Sequence, residues 1–496
     1  MLGSVMSLAN KAINRYKSMP VQVKAAFWFL VCSILQKGIS VITTPIFTRL
    51  LSTAEYGQFS VFNSWMSIAT VVVTLNLSAG VYTQGLIKFD NDRPVFSSTL
   101  QGLTLFMSAV WTAVYFLFKE SFNSAMSLTT MQVTAMLIIV WSSAAFGFWA
   151  AEQRVLYKYR GLVALTLIVS VLQPALGILL IFHSEDKVMA RIMGILLSQI
   201  AIYTFCFAIQ MFRGKKFFSK KYWLYVLGFN LPLVPHYLSQ TVLNSADRIM
   251  IEKMVGDGEA GIYGLAYSLA QIMLIVNASL VQTINPWYFE KLKRKEYSLI
   301  APISYSCMII IAIANILLIA FAPEAVAIFA PEEYYSAIWV IPPIAMSSIF
   351  FLEYDLFSKY EFYYEKTSFI MIASILGAII NVVLNYIFIP MFGFLAAGYT
   401  TLVCYMLYAI GHYLFMKKIC NDYLDGENPY NTKIMICITL GFISIGFLFM
   451  ATYNHLKLRM ILLIISLGLL IIKRNKLLTL ANDILKIRNT SGENGA

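Results

Sequence analysis

The most demanding residue in this sequence is a lysine set deep in an apolar run. Lys37 lies about twelve residues into the run 25–47, near mid-membrane depth, where a charge costs roughly 2.5–3.5 kcal/mol on the mildest insertion scale. Either it snorkels or neutralises between helices, or it lines a water-filled cavity as a fixed cation. Gln36, Lys37 and Ser40 fall within about one helical turn and form a polar stripe. Asp247 and Arg248 close a later run at 224–245, and Arg49 closes the first run at the corresponding place. Adjacent opposite charges there suit an interfacial helix end with a local ion pair. His236, between Pro235 and Tyr237, sits where a proline-broken helix bares backbone carbonyls. It can bind a proton or a sugar hydroxyl, or be a satisfied core histidine. The segment 353–365 mixes Glu353, Asp355, Glu361 and Glu365 with Tyr354, Tyr360, Tyr363 and Tyr364. Such a mixture is an interfacial tyrosine belt, or a sugar site in which aromatic faces meet pyranose rings and carboxylates meet hydroxyls. The candidates for a translocation path are Lys37, Arg49, Asp247 and Arg248. Those for ion coupling or sugar contact are His236, Glu353, Asp355 and Tyr360.

Enzyme chemistry finds no constellation here. His183, His236, His412 and His455 are scattered, with no HExxH pair or Cys/His cluster for zinc. No GxxxxGK[ST] loop cradles a nucleotide phosphate. The six cysteines, Cys32, Cys206, Cys307, Cys404, Cys420 and Cys437, lie in or beside apolar runs without a CxxC pair, and buried, reduced thiols are expected. No cofactor is implied, so any driving force comes from the substrate or from a gradient of H+ or Na+. The net charge of +12 does not point to nucleic acid, because the basic residues sit in short loops rather than in one stripe.

The elements that carry these residues follow from composition. Of 496 residues, 59% are apolar and only 12% charged, and mean hydropathy is +0.72. Apolar runs of about 20 residues, the length that spans a bilayer core, recur along the chain. Backbone amides in lipid must be satisfied within the chain, so the fold is a helix bundle or a closed barrel, and the runs lack the alternation of barrel strands. The first run is too long, and lacks the small-residue cleavage site, for a signal peptide. Runs at 25–47, 59–82, 96–118, 131–150, 162–182 and 192–212 make a first block of six. Those at 224–245, 262–284, 301–322, 337–357, 368–389 and 395–416 make a second, and 434–453 with 458–472 a final pair. The expectation is an all-α integral membrane protein of about 14 transmembrane helices, with six-helix lobes at 1–222 and 223–433 and a helix pair with tail at 434–496. With a cytoplasmic amino terminus, inward segments hold 28 of the 37 Lys and Arg residues and outward segments 8, with Lys37 inside the first run. That bias places both termini in the cytoplasm. The basic loop Arg213, Lys215, Lys216, Lys220 and Lys221 fits topogenic charge and contact with anionic membrane lipid. Gly57-x-Phe59 resembles Gly261-x-Tyr263 at an offset of 204 residues, which Gly194 and Gly398 share. An offset of six spans preserves orientation, so the lobes would be parallel repeats around a central cavity.

Three segments carry a family resemblance. They are Pro45-Ile-Phe-Thr-Arg49-Leu-Leu-Ser-Thr-Ala-Glu55-Tyr56-Gly57; Ser245-Ala-Asp247-Arg248-Ile-Met-Ile251 followed by Gly261-Ile-Tyr263; and Asn381 to Asn385 followed by Ile389-Pro390-x-x-Gly393 and Gly398. In order and spacing the chain resembles the polysaccharide transporters, the O-antigen flippase type, of the multidrug/oligosaccharidyl-lipid/polysaccharide superfamily. The resemblance implies two lobes that open alternately to either side of a bacterial inner membrane. It further implies a cargo of undecaprenyl-diphosphate-linked oligosaccharide for O-antigen or other surface polysaccharide of the lipopolysaccharide kind, and a polymerase and chain-length regulator of the same pathway as partners. A diphosphate crossing the bilayer needs cationic company, which Lys37, Arg49 and Arg248 can supply. A multidrug exporter shares the architecture, but would place carboxylates where this chain has a lysine. A membrane polymerase needs a sizeable outward loop, and the outward connections here are about 16 residues or shorter.

Overall fold

In the computed structural model, which describes Tyr16 and residues 18–472, the long apolar runs form helices and no strand occurs among the described residues. The order is α1 (Val21–Leu50), α2 (Thr53–Thr74), α3 (Val81–Lys88), α4 (Arg93–Leu117), α5 (Lys119–Met126), α6 (Thr130–Val155), α7 (Tyr159–Ile181), α8 (Lys187–Gly214) and α9 (Lys220–Asn230). After a 3-10 turn at Leu231–Leu233 come α10 (Val234–Met254), α11 (Asp257–Lys293), α12 (Ile300–Ala320), α13 (Ala322–Phe329) and α14 (Ile341–Tyr363). The last described helices are α15 (Thr367–Phe392), α16 (Leu395–Tyr423), α17 (Thr432–Ala451) and α18 (Leu456–Ile472). Nine helices among the described residues are long and apolar enough to cross a membrane. A tenth joins them if the 3-10 turn Glu332–Trp339 and α14, bent by 41°, count as one span. Fourteen is thus a count of apolar runs. Of the other runs, 458–472 lies in α18, which is described as far as Ile472, the run at 224–245 is broken at Leu231–Leu233, and α10 carries Asp247, Arg248, Glu252 and Lys253. The run 59–82 also breaks: α2 ends at Thr74, and Leu75 and Asn76 turn the chain with positive φ before α3.

The chain forms two compact units, one of residues 1–51 and 62–238, the other of 52–61 and 239–496. In the first, α8 runs along α7, α6 and α4, and α1 lies along α7. Its aromatic core stacks Tyr82 on Phe96 (5.7 Å) and edge-on to Phe148 (4.8 Å). In the second, α16 runs along α14 and α15, and α14 packs on α11 and α12. Small residues let these backbones approach, as helix association in lipid requires. A Cβ on Gly194 would overlap Gly177 of α7, and one on Gly398 would press on Pro343 of α14.

The start of α2 shows how a local signal sets a tertiary contact. Ser52 and Glu55 form a reciprocal capping box, with the Ser52 amide donating to Glu55 Oε2 (2.7 Å) and the Glu55 amide to Ser52 Oγ (3.2 Å). The cap aims the first turns of α2 at α11. There Gly57 lies against the Asp257 carbonyl and the Gly261 amide, Gly261 against the Thr53 carbonyl and the Gly57 amide, and Gly264 against Ser60. Gly57 with Gly261 and Ser60 with Gly264 pair residues 204 positions apart, and the contact of Gly57 with Asp257 mirrors that of Gly261 with Thr53, so the two segments meet about a local two-fold. Gln58 seals the edge by donating to Asp257 (2.9 Å).

Candidate functional site

Asp247 is the most elaborately held charge in the second unit. Position 247 of α10 faces α11, α15 and α16, and the carboxylate is 1% exposed. Tyr263 Oη donates to Oδ2 at 2.6 Å, Thr401 Oγ1 to Oδ2 at 3.0 Å, and Asn385 Nδ2 to Oδ1 at 2.6 Å. Asn385 also reaches Asn381 Oδ1 (3.3 Å) and accepts from Thr400. All three donors to the carboxylate are neutral, so they satisfy its lone pairs without cancelling its charge. Asn381 Nδ2 is buried and has no hydrogen-bond partner. The pocket surrounds one negative charge with neutral amide and hydroxyl donors in an apolar enclosure, so that a bound proton or small monovalent cation is what would neutralise it.

Arg248 turns away from its neighbour. Its guanidinium donates to the Asn244 carbonyl and lies 4.5 Å from the Tyr267 ring centroid, while Nε is buried without a hydrogen-bond partner. The expected local ion pair is therefore replaced by two separate sets of contacts, because successive helix residues point about 100° apart. Arg49 is exposed at the end of α1 and donates to the Pro45 carbonyl at 2.9 Å. Lys37, like Gln36 and Ser40, is exposed near the middle of α1, and among the described residues no hydrogen bond or ion pair holds its ammonium. His236 follows the 3-10 break, half-buried, with Nδ1 unpaired.

The segment 353–365 does not form a belt facing outward. Glu353 is buried and accepts from Thr439 Oγ1 (2.5 Å) at the wall of an apolar cavity of about 340 Å³ between α14, α16 and α17. Asp355 pairs with Lys359 on the next turn. Tyr360 is fully enclosed, with the rings of Tyr288 and Tyr430 at 6.0 and 6.3 Å. Tyr354 packs against Tyr408 and His412, each at 4.6 Å. Two further groups emerge only in the structure. Glu361 partners His412, whose Nδ1 lies 2.7 Å from Glu361 Oε1, and in the first unit Glu152 is buried against Gln210 (2.6 Å), which in turn meets Tyr82 and Gln101. Polar residues in apolar runs were the available signal, but only helix packing decides which of them meet.

Known proteins of three kinds resemble this chain. A sequence model of the family described as polysaccharide biosynthesis protein matches residues 22–293. Among curated proteins, Lsg locus putative protein 1 of Haemophilus influenzae is 25% identical over 385 residues, covering 71% of this chain and 88% of its own length. An uncharacterized membrane protein of the same organism is 20% identical over 369 residues, covering 72% and 88%. Among solved structures, the lipid II flippase MurJ in an inward closed conformation superposes with a TM-score of 0.67 at 13% identity, over 90% of this chain and 99% of MurJ. An inward-facing multidrug resistance MATE family transporter of the MOP superfamily gives 0.59 at 15% identity, over 79% and 96%.

Proposed function

The chain belongs to the polysaccharide biosynthesis protein family, and from that premise we propose that it flips undecaprenyl-diphosphate-linked oligosaccharide from the cytoplasmic to the outer leaflet of the bacterial inner membrane. The mechanism is alternating access, with the polyprenyl tail left in lipid while the head group crosses. The observation that carries this reading is Lys37, an exposed lysine without a hydrogen-bond or ion-pair partner among the described residues, deep in a 30-residue apolar helix. Water or an anion beside it would relieve the cost of such a charge, and a diphosphate is the anion that this family's cargo would bring. Arg49, at the end of α1, and Arg248, within α10, carry the guanidinium groups that would meet it on the outer side, as bidentate phosphate donors.

Coupling is assigned to Asp247. Its buried carboxylate, held by the hydroxyls of Tyr263 and Thr401 and the amide nitrogen of Asn385, would be neutralised by one H+ or Na+. The membrane lipids and the polymerase and chain-length regulator of the same pathway are the remaining partners in this reading.

The experiment is reconstitution in liposomes with a fluorescent undecaprenyl-diphosphate oligosaccharide and an impermeant glycosidase that cuts only flipped head groups. Translocation above that of empty liposomes is expected, falling at least about tenfold in Lys37→Ala, equivalent to about 1.4 kcal/mol, and surviving in Lys37→Arg. No translocation with several head groups and imposed ion gradients overturns the reading and turns attention to small-molecule export.

A further inference from the structure

We propose that Glu361 and His412 form a proton-binding site: enclosed between α14, α15 and α16, the pair holds one proton, and it releases that proton when these helices part. Its place in a transport cycle rests on the transporter reading above, while the binding of the proton does not depend on which cargo moves.

Both side chains are 0% exposed, with His412 Nδ1 2.7 Å from Glu361 Oε1. A pair so enclosed is electrically neutral in one way only, with a single proton between the two, either as carboxylate with imidazolium or as carboxylic acid with imidazole. Removing it leaves a carboxylate and a neutral ring, one uncompensated negative charge in an apolar enclosure, so release requires water to reach the pair. The walls are aromatic. Tyr354 and Tyr408 each place a ring centroid 4.6 Å from that of the imidazole, and Phe369 of α15 lies at 5.3 Å, its plane turned 80° from that of the imidazole.

The far atoms are the second observation. Glu361 Oε2 and His412 Nε2 are both buried with no hydrogen-bond partner. Each unmade bond leaves a desolvated polar atom uncompensated, a cost that packing alone gives no reason to carry. Atoms left waiting in this way find partners in water once the enclosure opens. The site is also mechanically joined to the Asp247 pocket. Thr401, Tyr405, Tyr408 and His412 follow the helical repeat along one face of α16, so Thr401, which binds Asp247, and His412 share one helix. Between them Tyr408 meets Ser374 of α15 (2.9 Å), which accepts from Gln240 of α10 (3.1 Å). A shift of α10 that follows occupancy of Asp247 therefore reaches the aromatic wall of the dyad.

Other titratable groups stand further round α14. Asp355 and Lys359 pair with each other, Lys359 facing Tyr288 of α11 and Cys307 of α12. Glu353 bonds Thr439 of α17. From α15 the neighbours are Phe369 and Ser374, and from α10 Gln240, all uncharged. Tyr354 and Tyr408 are the titratable groups whose rings pack on the imidazole, and neither carries charge near neutral pH.

The test reads the proton without any cargo. Replacing His183, His236 and His455 by Gln leaves His412 as the single histidine of the full chain, and 15N-histidine NMR of that protein in liposomes follows its imidazole. A single protonation step is expected, shared by the imidazole and an infrared carboxyl band that disappears in Glu361→Gln. An imidazole whose protonation step is unaccompanied by any carboxyl change, or is identical in Glu361→Gln, overturns the proposal. Since no substrate enters the measurement, failure of the flippase assay leaves this result standing, and the converse holds too.

Discussion

Lys37 and Asp247 make opposite demands on the bilayer and meet them in opposite ways. The lysine stays exposed on α1, while the carboxylate is closed over by three neutral donors. If the proton or cation at Asp247 drives transport, Asp247→Asn should preserve the fold and abolish any dependence of flipping on an imposed H+ or Na+ gradient. Thr401→Val, which deletes one donor, should lower stability by about 1–3 kcal/mol, read as a drop in melting temperature of the purified protein. Retained gradient dependence in Asp247→Asn would remove the carboxylate from the coupling role. The sequence drew attention to Asp247 and to Asn381 and Asn385 as separate segments, but not to their meeting. Asn385 and Thr401 stand 138 and 154 residues from Asp247, and a single sequence exposes only neighbours within a turn or two of one helix. Glu361 and His412, 51 residues apart, were hidden for the same reason.

At the scale of elements, the crossing of α2 and α11 is the contact most sensitive to volume. A Cβ at Gly57 or Gly261 meets backbone, which cannot yield as a flexible side chain can. Gly57→Ala and Gly261→Ala should each destabilise the protein by about 1–3 kcal/mol, whereas Gly441→Ala, where a Cβ meets nothing within 4 Å, should leave thermal unfolding unchanged. Equal behaviour of all three variants would show that the crossing gives way. Removal of the cap in Ser52→Ala should cost about 0.5–2 kcal/mol. The glycines were visible in the sequence as a repeat, whereas the capping box is shown by the structure. The breaks at Leu75–Asn76 and Leu231–Leu233 were not resolved from the apolar pattern, because hydropathy averages over a turn that backbone geometry interrupts.

For the whole molecule, composition alone made the class legible, since a chain so apolar has few folds open to it. The charge bias makes a prediction that hydropathy cannot: both termini and the basic loop at 213–221 face the cytoplasm. A reporter enzyme active only outside the cytoplasm should be silent when fused at 215 or at the carboxyl terminus and active when fused at 127. The reverse pattern would invert the topology and, with it, the direction assigned to flipping. The α2–α11 crossing carries one consequence beyond stability. Thr53, Gly57 and Ser60 touch Asp257, Gly261 and Gly264 reciprocally, each with its counterpart one repeat away. A surface that matches its own duplicate is the isologous surface of a symmetric dimer. A half-length ancestor bearing this segment once would therefore have held the means to pair with a second copy of itself, and duplication with fusion would have turned an encounter between two chains into a tether within one.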